Sequence, residues 1–205
     1  RAKHIATALR AHLPEFPAAA EILAASLGKK IETSGEDGGG ALRYMPHDSF
    51  IEQFGIGHPR EAFALQEELT KRFTCEFSIR AFLIRHPELT FAQMKRWAAS
   101  NNTHLRRLAC EGSRPRLPWA PRLPAFQKDP APVIALLKML KDDPERYVQR
   151  SVANNINDIS KDHPDVAVDL CRDWLKRAPP ERAWIVKHAM RDLVRKGYLP
   201  ALELF

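Results

Sequence analysis

Cysteine is scarce in this chain. Cys75, Cys110 and Cys171 are the three in 205 residues, an odd number without CxxC spacing. That pattern excludes a disulfide framework and a zinc knuckle, and it suits a reducing, cytoplasmic compartment. No apolar run approaches the roughly 18 residues needed to span a bilayer, and no signal-peptide pattern is present, so no membrane partner is expected. Glycine-rich phosphate loops are missing. His104, His163 and His188 lack metal-ligand spacing, so neither a metal nor a cofactor is expected. Signals for β-strands are almost absent. The chain starts at Arg1 without a methionine and already inside a helical pattern, which implies that N-terminal residues are missing.

What is present is positive charge and helical periodicity. Lys and Arg number 32 against 25 acids, giving +7. Such a balance favours an anionic partner such as nucleic acid, although charge alone speaks to association and not to fold. Helical spacing predicts helices near 2–12, 17–27, 46–54, 59–72, 76–85, 88–99, 103–111, 131–141, 144–160, 165–177, 181–196 and 199–204. Pro17, Pro59, Pro87, Pro132, Pro144, Pro164 and Pro180 stand where a first helical turn tolerates proline. The segment Ser34–Gly40, with four glycines, reads as a flexible loop.

The stretch from Arg150 to Pro164 is the most unusual. Val148, Val152, Ile156 and Ile159 recur as one apolar helical stripe. Ser151, Asn154, Asn155, Asp158 and Asp162 form a second arc. A solvated face would favour Lys, Glu, Gln and Arg, because Asn, Asp and Ser are mediocre helix formers. Their concentration inside a helix implies that these side chains bond something other than their own backbone.

A repeat runs through the second half. Leu105–Glu111 aligns with Val148–Asn154 and with Ile185–Arg191. The spacing suits paired-helix HEAT-type repeats, each leaving an apolar face that only a neighbour can cover. Arg107, Arg150 and Lys187 then recur on one face, a ladder suited to a phosphate backbone. An insertion, Gly112–Pro124, interrupts the pattern. Its prolines forbid helix and favour stiff, extended backbone. It carries Trp119 and the arginines Arg114, Arg116 and Arg122, so it reads as a rigid arm able to touch a ligand. Trp97, Trp174 and Trp184 fall on apolar stripes and read as core.

Three segments carry a resemblance to a known family: Thr74–Arg80, His104–Trp119 and the Arg150–His163 helix. In this order, and continuing through Trp184–Gly197, the chain from about residue 41 onward resembles the bacterial DNA alkylation repair glycosylases of the AlkC type. These belong to a HEAT-like repeat superfamily shared with AlkD. The resemblance implies an all-α, HEAT-like repeat solenoid with a concave basic face, read here as a single domain over residues 1–205 without the C-terminal immunoglobulin-like domain of some relatives. It implies a monomeric enzyme that acts on duplex DNA and hydrolyses the N-glycosidic bond of cationic alkylated bases such as 3-methyladenine, without base flipping. Carried over by position, the catalytic residues are Glu76, Glu111, Asp158 and Trp119. DNA contacts are expected from Arg80, Arg107, Arg114, Arg116, Arg150, Asn155, Lys161 and Lys187, with Asn155 also orienting Asp158.

Taken singly, these features have plain readings. Glu111 before Gly112 fits an ordinary helix end, Asp158 could pair with Lys161 three residues on, and a tryptophan among prolines is often a packing plug. The competing function is a non-catalytic HEAT-like scaffold that binds DNA or protein. Carboxylates facing a polyanion favour chemistry, because a pure binder has no use for them.

Overall fold

The structure is a computed structural model, and it describes residues 1–31 and 42–205. The glycine-rich segment Ser34–Gly40 lies outside the described residues. The described residues form 13 helices and no strand. They divide into two compact units, Arg1–Leu108 and Ala109–Phe205, where the sequence suggests one domain.

The first unit holds α1 (Ala2–His12), α2 (Phe16–Ala25), α3 (Met45–Phe54), α4 (Pro59–Thr70), α5 (Ser78–Arg85) and α6 (Pro87–Ala98). Helix α1 packs on α3, α2 on α4, and α5 on both α3 and α6. The interior is built from Phe50, Ile51, Leu65, Leu69, Ile79, Phe82, Met94 and Trp97. Trp97 meets Phe63 edge-on and donates its indole N–H to Glu67 at 2.7 Å, so its one polar atom is satisfied.

Helix α7 (Thr103–Gly112) contains the boundary between the units, which falls after Leu108. The second unit continues with α8 (Pro124–Lys128), α9 (Ala131–Leu140), α10 (Arg146–Ile159), α11 (Pro164–Leu175), α12 (Pro180–Arg195) and α13 (Leu199–Leu202). Helix α10 packs on α9, α11 and α12. The predicted stripe Val148, Val152, Ile156 and Ile159 is buried, each side chain contributing about 1.5–3 kcal/mol by leaving water.

Proline sets the helix starts. His58-Pro59, His86-Pro87 and His163-Pro164 each place a histidine in a non-helical conformation just before a helix, because the residue before proline is pushed out of the α region. His86 alone joins α5 to α6, and its imidazole contacts the Ile56 carbonyl at 2.9 Å.

Some expectations need correction. Pro144 lies outside α10, since extended Glu145 is the N-cap and the helix begins at Arg146. Glu76 is not helical: it sits in a turn before α5, held by Thr74, whose hydroxyl accepts the Glu76 N–H at 3.3 Å. Helix α8 directly follows the proline-rich arm, where no helix is predicted. Trp184 is half-buried, not core. It is sandwiched between the Arg146 guanidinium, 4.0 Å from its ring centroid, and the His188 ring at 4.9 Å.

Candidate active site

The end of α7 and the polar arc of α10 build one cluster in the second unit. Arg114, just beyond α7, donates from Nη1 to Glu111 Oε1 at 2.6 Å and from Nε to Asp158 Oδ2 at 2.8 Å. Ser151 donates its hydroxyl to Glu111 Oε2 at 2.6 Å, and Lys161 reaches Asp158 Oδ1 at 3.1 Å. Asp158 is 1% exposed and Glu111 6%. Charges this deeply buried persist only with partners of opposite charge and directed hydrogen bonds, and both carboxylates have them. Burial lowers the pKa of Arg114, but Glu111 and Asp158 outweigh it and hold the guanidinium above its ordinary value.

The inference that the α10 arc bonds outward is correct in detail. Asn155 donates to the Cys110 carbonyl at 2.8 Å and to Ser113 Oγ at 3.2 Å, tying α10 to the end of α7. Asn157 donates to the Ala189 carbonyl on α12 at 2.9 Å. Asp162 accepts from Arg116 Nε at 2.9 Å, which anchors the arm. Burial pushes the Cys110 thiol up to about 12, so it stays a protonated packing group.

Beyond Arg116 the arm forms a projecting loop. Leu123 donates its N–H to the Pro115 carbonyl at 3.1 Å, and Leu117 and Leu123 are buried as its feet. At its tip Trp119 is 98% exposed with φ +63°. The left-handed region costs a non-glycine residue about 1–3 kcal/mol, and an indole in water adds a further penalty. The packing-plug reading fails here, since the side chain is almost wholly exposed.

Glu76 and Arg107 belong to the first unit and form an ion pair there. Thr74 Oγ1 donates to Glu76 at 2.9 Å and accepts from Arg107 Nη1 at 3.1 Å. Beneath this turn, Asp48 on α3 accepts the Ser78 N–H at 3.3 Å. Burial pushes the Asp48 carboxyl up to about 7, against the hydrogen bonds from Ser78 and with help from Glu52 and Glu76.

The expected DNA contacts separate into groups. Arg80, at 2% exposure, and Asn155, at 0%, are buried and present no atom to a phosphate, a correction of the sequence expectation. Asn155 also bonds Cys110 and Ser113 instead of orienting Asp158. Arg114 holds the two carboxylates, and Arg116 and Arg107 are engaged with Asp162 and Glu76. Lys161 is exposed beyond its contact with Asp158, and Arg150 and Lys187 are exposed as well. Ser151, Thr74 and Asp48 are groups to which sequence reasoning gave no role. Ser151 carries a signal in its place on the polar arc; Asp48 carries none.

Residues 73–193, more than half the chain, match the family described as DNA alkylation repair enzyme. The chain belongs to that family. The whole α7–α10 cluster lies within the matched span, as does Glu76. The chain is 45% identical over 156 residues to the uncharacterized protein YhaZ of Bacillus subtilis (strain 168), covering 76% of this chain and 43% of YhaZ. It is also similar to the solved structure of Pseudomonas fluorescens alkylpurine DNA glycosylase AlkC bound to DNA containing an abasic site analog. There the TM-score is 0.73 and the identity 41%, over 77% of this chain and 44% of AlkC. The chain thus spans less than half the length of either relative. Among the described residues, no group of three or more His, Cys, Asp or Glu could hold a metal, and no helix is long and apolar enough to cross a membrane.

Proposed function

We propose that this chain is an alkylpurine DNA glycosylase that hydrolyses the N-glycosidic bond of cationic alkylated bases such as 3-methyladenine in duplex DNA. One observation carries the reading: two buried carboxylates, Glu111 and Asp158, are clamped by a single buried arginine. The similarity to a DNA-bound AlkC supports DNA as the partner.

The chemistry suits such a pair. An alkylated purine already carries positive charge and leaves as a neutral base without a strong general acid. The barrier lies in the cationic character that develops on the deoxyribose. Fixed, preorganised carboxylates steady that charge, and one of them accepts a proton from the water that adds to C1′. Arg114 and Ser151 fix the two groups, and each carboxylate oxygen that takes one donor keeps a second lone pair. Trp119 offers a π-face to the same developing cation. Glu76 enters through its place in the resemblance. Lys161 links Asp158 to solvent, where a phosphate can meet its ammonium.

The test is base release from methylated duplex DNA, without added metal and with products identified by chromatography. Release of 3-methyladenine is expected. Asp158→Asn should lower the rate about 100-fold or more, with DNA affinity equal or higher because a negative charge has gone. An unchanged rate would remove Asp158 from the mechanism. DNA binding without any release by the native chain would favour the scaffold.

A further inference from the structure

Helix α5 starts without a cap of its own. The first N–H groups of a helix have no partner inside it, and Phe77, the N-cap residue of α5, offers them no side-chain oxygen. The missing acceptor comes from α3: Asp48 Oδ1 takes the Ser78 N–H at 3.3 Å. A carboxyl in this place also faces the positive end of the helix dipole. Ser78 is the first residue of α5, and Glu76 stands two positions before it.

The turn that carries Glu76 is pinned on both sides of that residue. Before it, the buried Cys75 thiol donates to the Gln66 carbonyl of α4 at 3.5 Å. After it, Ser78 Oγ accepts from Gln66 Nε2 at 2.9 Å. Asp48, Gln66, Cys75 and Ser78 are each at most 2% exposed, so water does not compete for these bonds, and hydrogen bonds are stronger in such surroundings. Glu76 itself stays half-buried, with its carboxylate on Thr74 and Arg107. The two acids also feel one another: burial first, and after it Glu52 and Glu76, raise the Asp48 carboxyl.

We propose that Asp48 is a positioning residue for base release: by capping α5 from α3 it fixes the turn that holds Glu76 beside Arg107. The proposal rests on the glycosylase reading and on Glu76 being one of its catalytic residues. Charge steadies a transition state best when it needs no rearrangement at the moment of reaction. A displacement of about 1 Å can cost about 100-fold in rate. Asp48 is too deeply buried to meet DNA, so its effect belongs to the rate and not to affinity.

The experiment is a double-mutant cycle on base release from methylated duplex DNA under single-turnover conditions, with duplex affinity followed by fluorescence anisotropy. It is run at about pH 6, where Asp48 is largely neutral and asparagine is its closest mimic. Asp48→Ala leaves the Ser78 N–H without its acceptor and should lower the rate about 10- to 100-fold, with Kd unchanged. Asp48→Asn keeps an oxygen there and should restore the rate to within about threefold of native. In a Glu76→Gln background, Asp48→Ala should cost less than about threefold more, because the two act through one group. A general defect of the fold would lower the rate equally in both backgrounds. Gln66→Met frees the other side of Ser78; it should repeat the pattern, and it decides the question if Asp48→Ala does not fold. Equal losses in both backgrounds, no rescue by Asp48→Asn, or a weakened Kd in step with the rate would overturn the proposal. A native rate in Glu76→Gln would remove Glu76 from the chemistry and the proposal with it, whereas a native chain that releases no base would sink the glycosylase reading beneath both.

Discussion

Asp48 in the first unit and Asp158 in the second are both carboxylates on helices, each almost wholly buried. Their surroundings differ in one respect. Asp158 is buried together with Arg114 and is reached by Lys161. Asp48 has the Ser78 N–H, and the charges it feels, Glu52 and Glu76, are negative. The outcome follows from the cost of desolvation: where a counter-charge is buried alongside, the arginine is driven up, and where none is, the acid itself moves, here to about 7. A centre that faces a developing cation, as proposed for Glu111 and Asp158, needs the first arrangement.

The contrast can be broken by taking the cation away. Arg114→Met should leave Glu111 and Asp158 in the position of Asp48. Stability should fall by about 3–5 kcal/mol, because two buried acids lose their partner, and any remaining base release should shift to higher pH. Chemical denaturation and a pH–rate profile measure the two effects; a loss below about 1 kcal/mol would mean that the cluster is already solvated.

Asp48 can be tested from the other side. Its folded pKa, raised to about 7, exceeds the ordinary 3.8, so between those values the folded state holds a proton that the unfolded state gives up. Stability therefore falls as pH rises from about 4 to 7, and the full penalty applies above 7. Asp48→Asn should remove this slope and gain about 2–4 kcal/mol at pH 8. Thermal melts of both proteins from pH 5 to 8 decide it, and parallel curves would contradict the assignment.

The smallest effect sharpens the comparison within the second unit. Ser151→Ala removes a hydrogen bond to Glu111 but no charge, so base release should drop about five- to twentyfold with DNA affinity unchanged. A loss as large as that of Asp158→Asn would make the hydroxyl more than a positioning group.

Much of this was legible before any coordinates. Helix starts could be placed because proline acts locally, through its own ring and the residue before it. The buried stripe of α10 was readable because apolar period and burial are two views of one fact. The polar arc of α10 announced outward bonding, and a collinear run of motifs announced the family. Asn155 and Arg80 were misread as DNA contacts, since an amide or guanidinium has the same letter whether it meets water or a neighbouring helix. Trp184 was misread in the opposite sense: its place on the apolar spacing hid a cation above it and an imidazole below.

Sequence by itself determined every helix but α8, with boundaries to within a turn, because these follow from periodicity and proline. Tertiary structure alone decided which charges share a partner. Glu111 and Asp158 lie 47 positions apart along the chain, and only the packing of α10 against the end of α7 puts one guanidinium between them. The energy of a buried charge depends on what lies within a few ångströms of it, a distance that sequence separation does not encode.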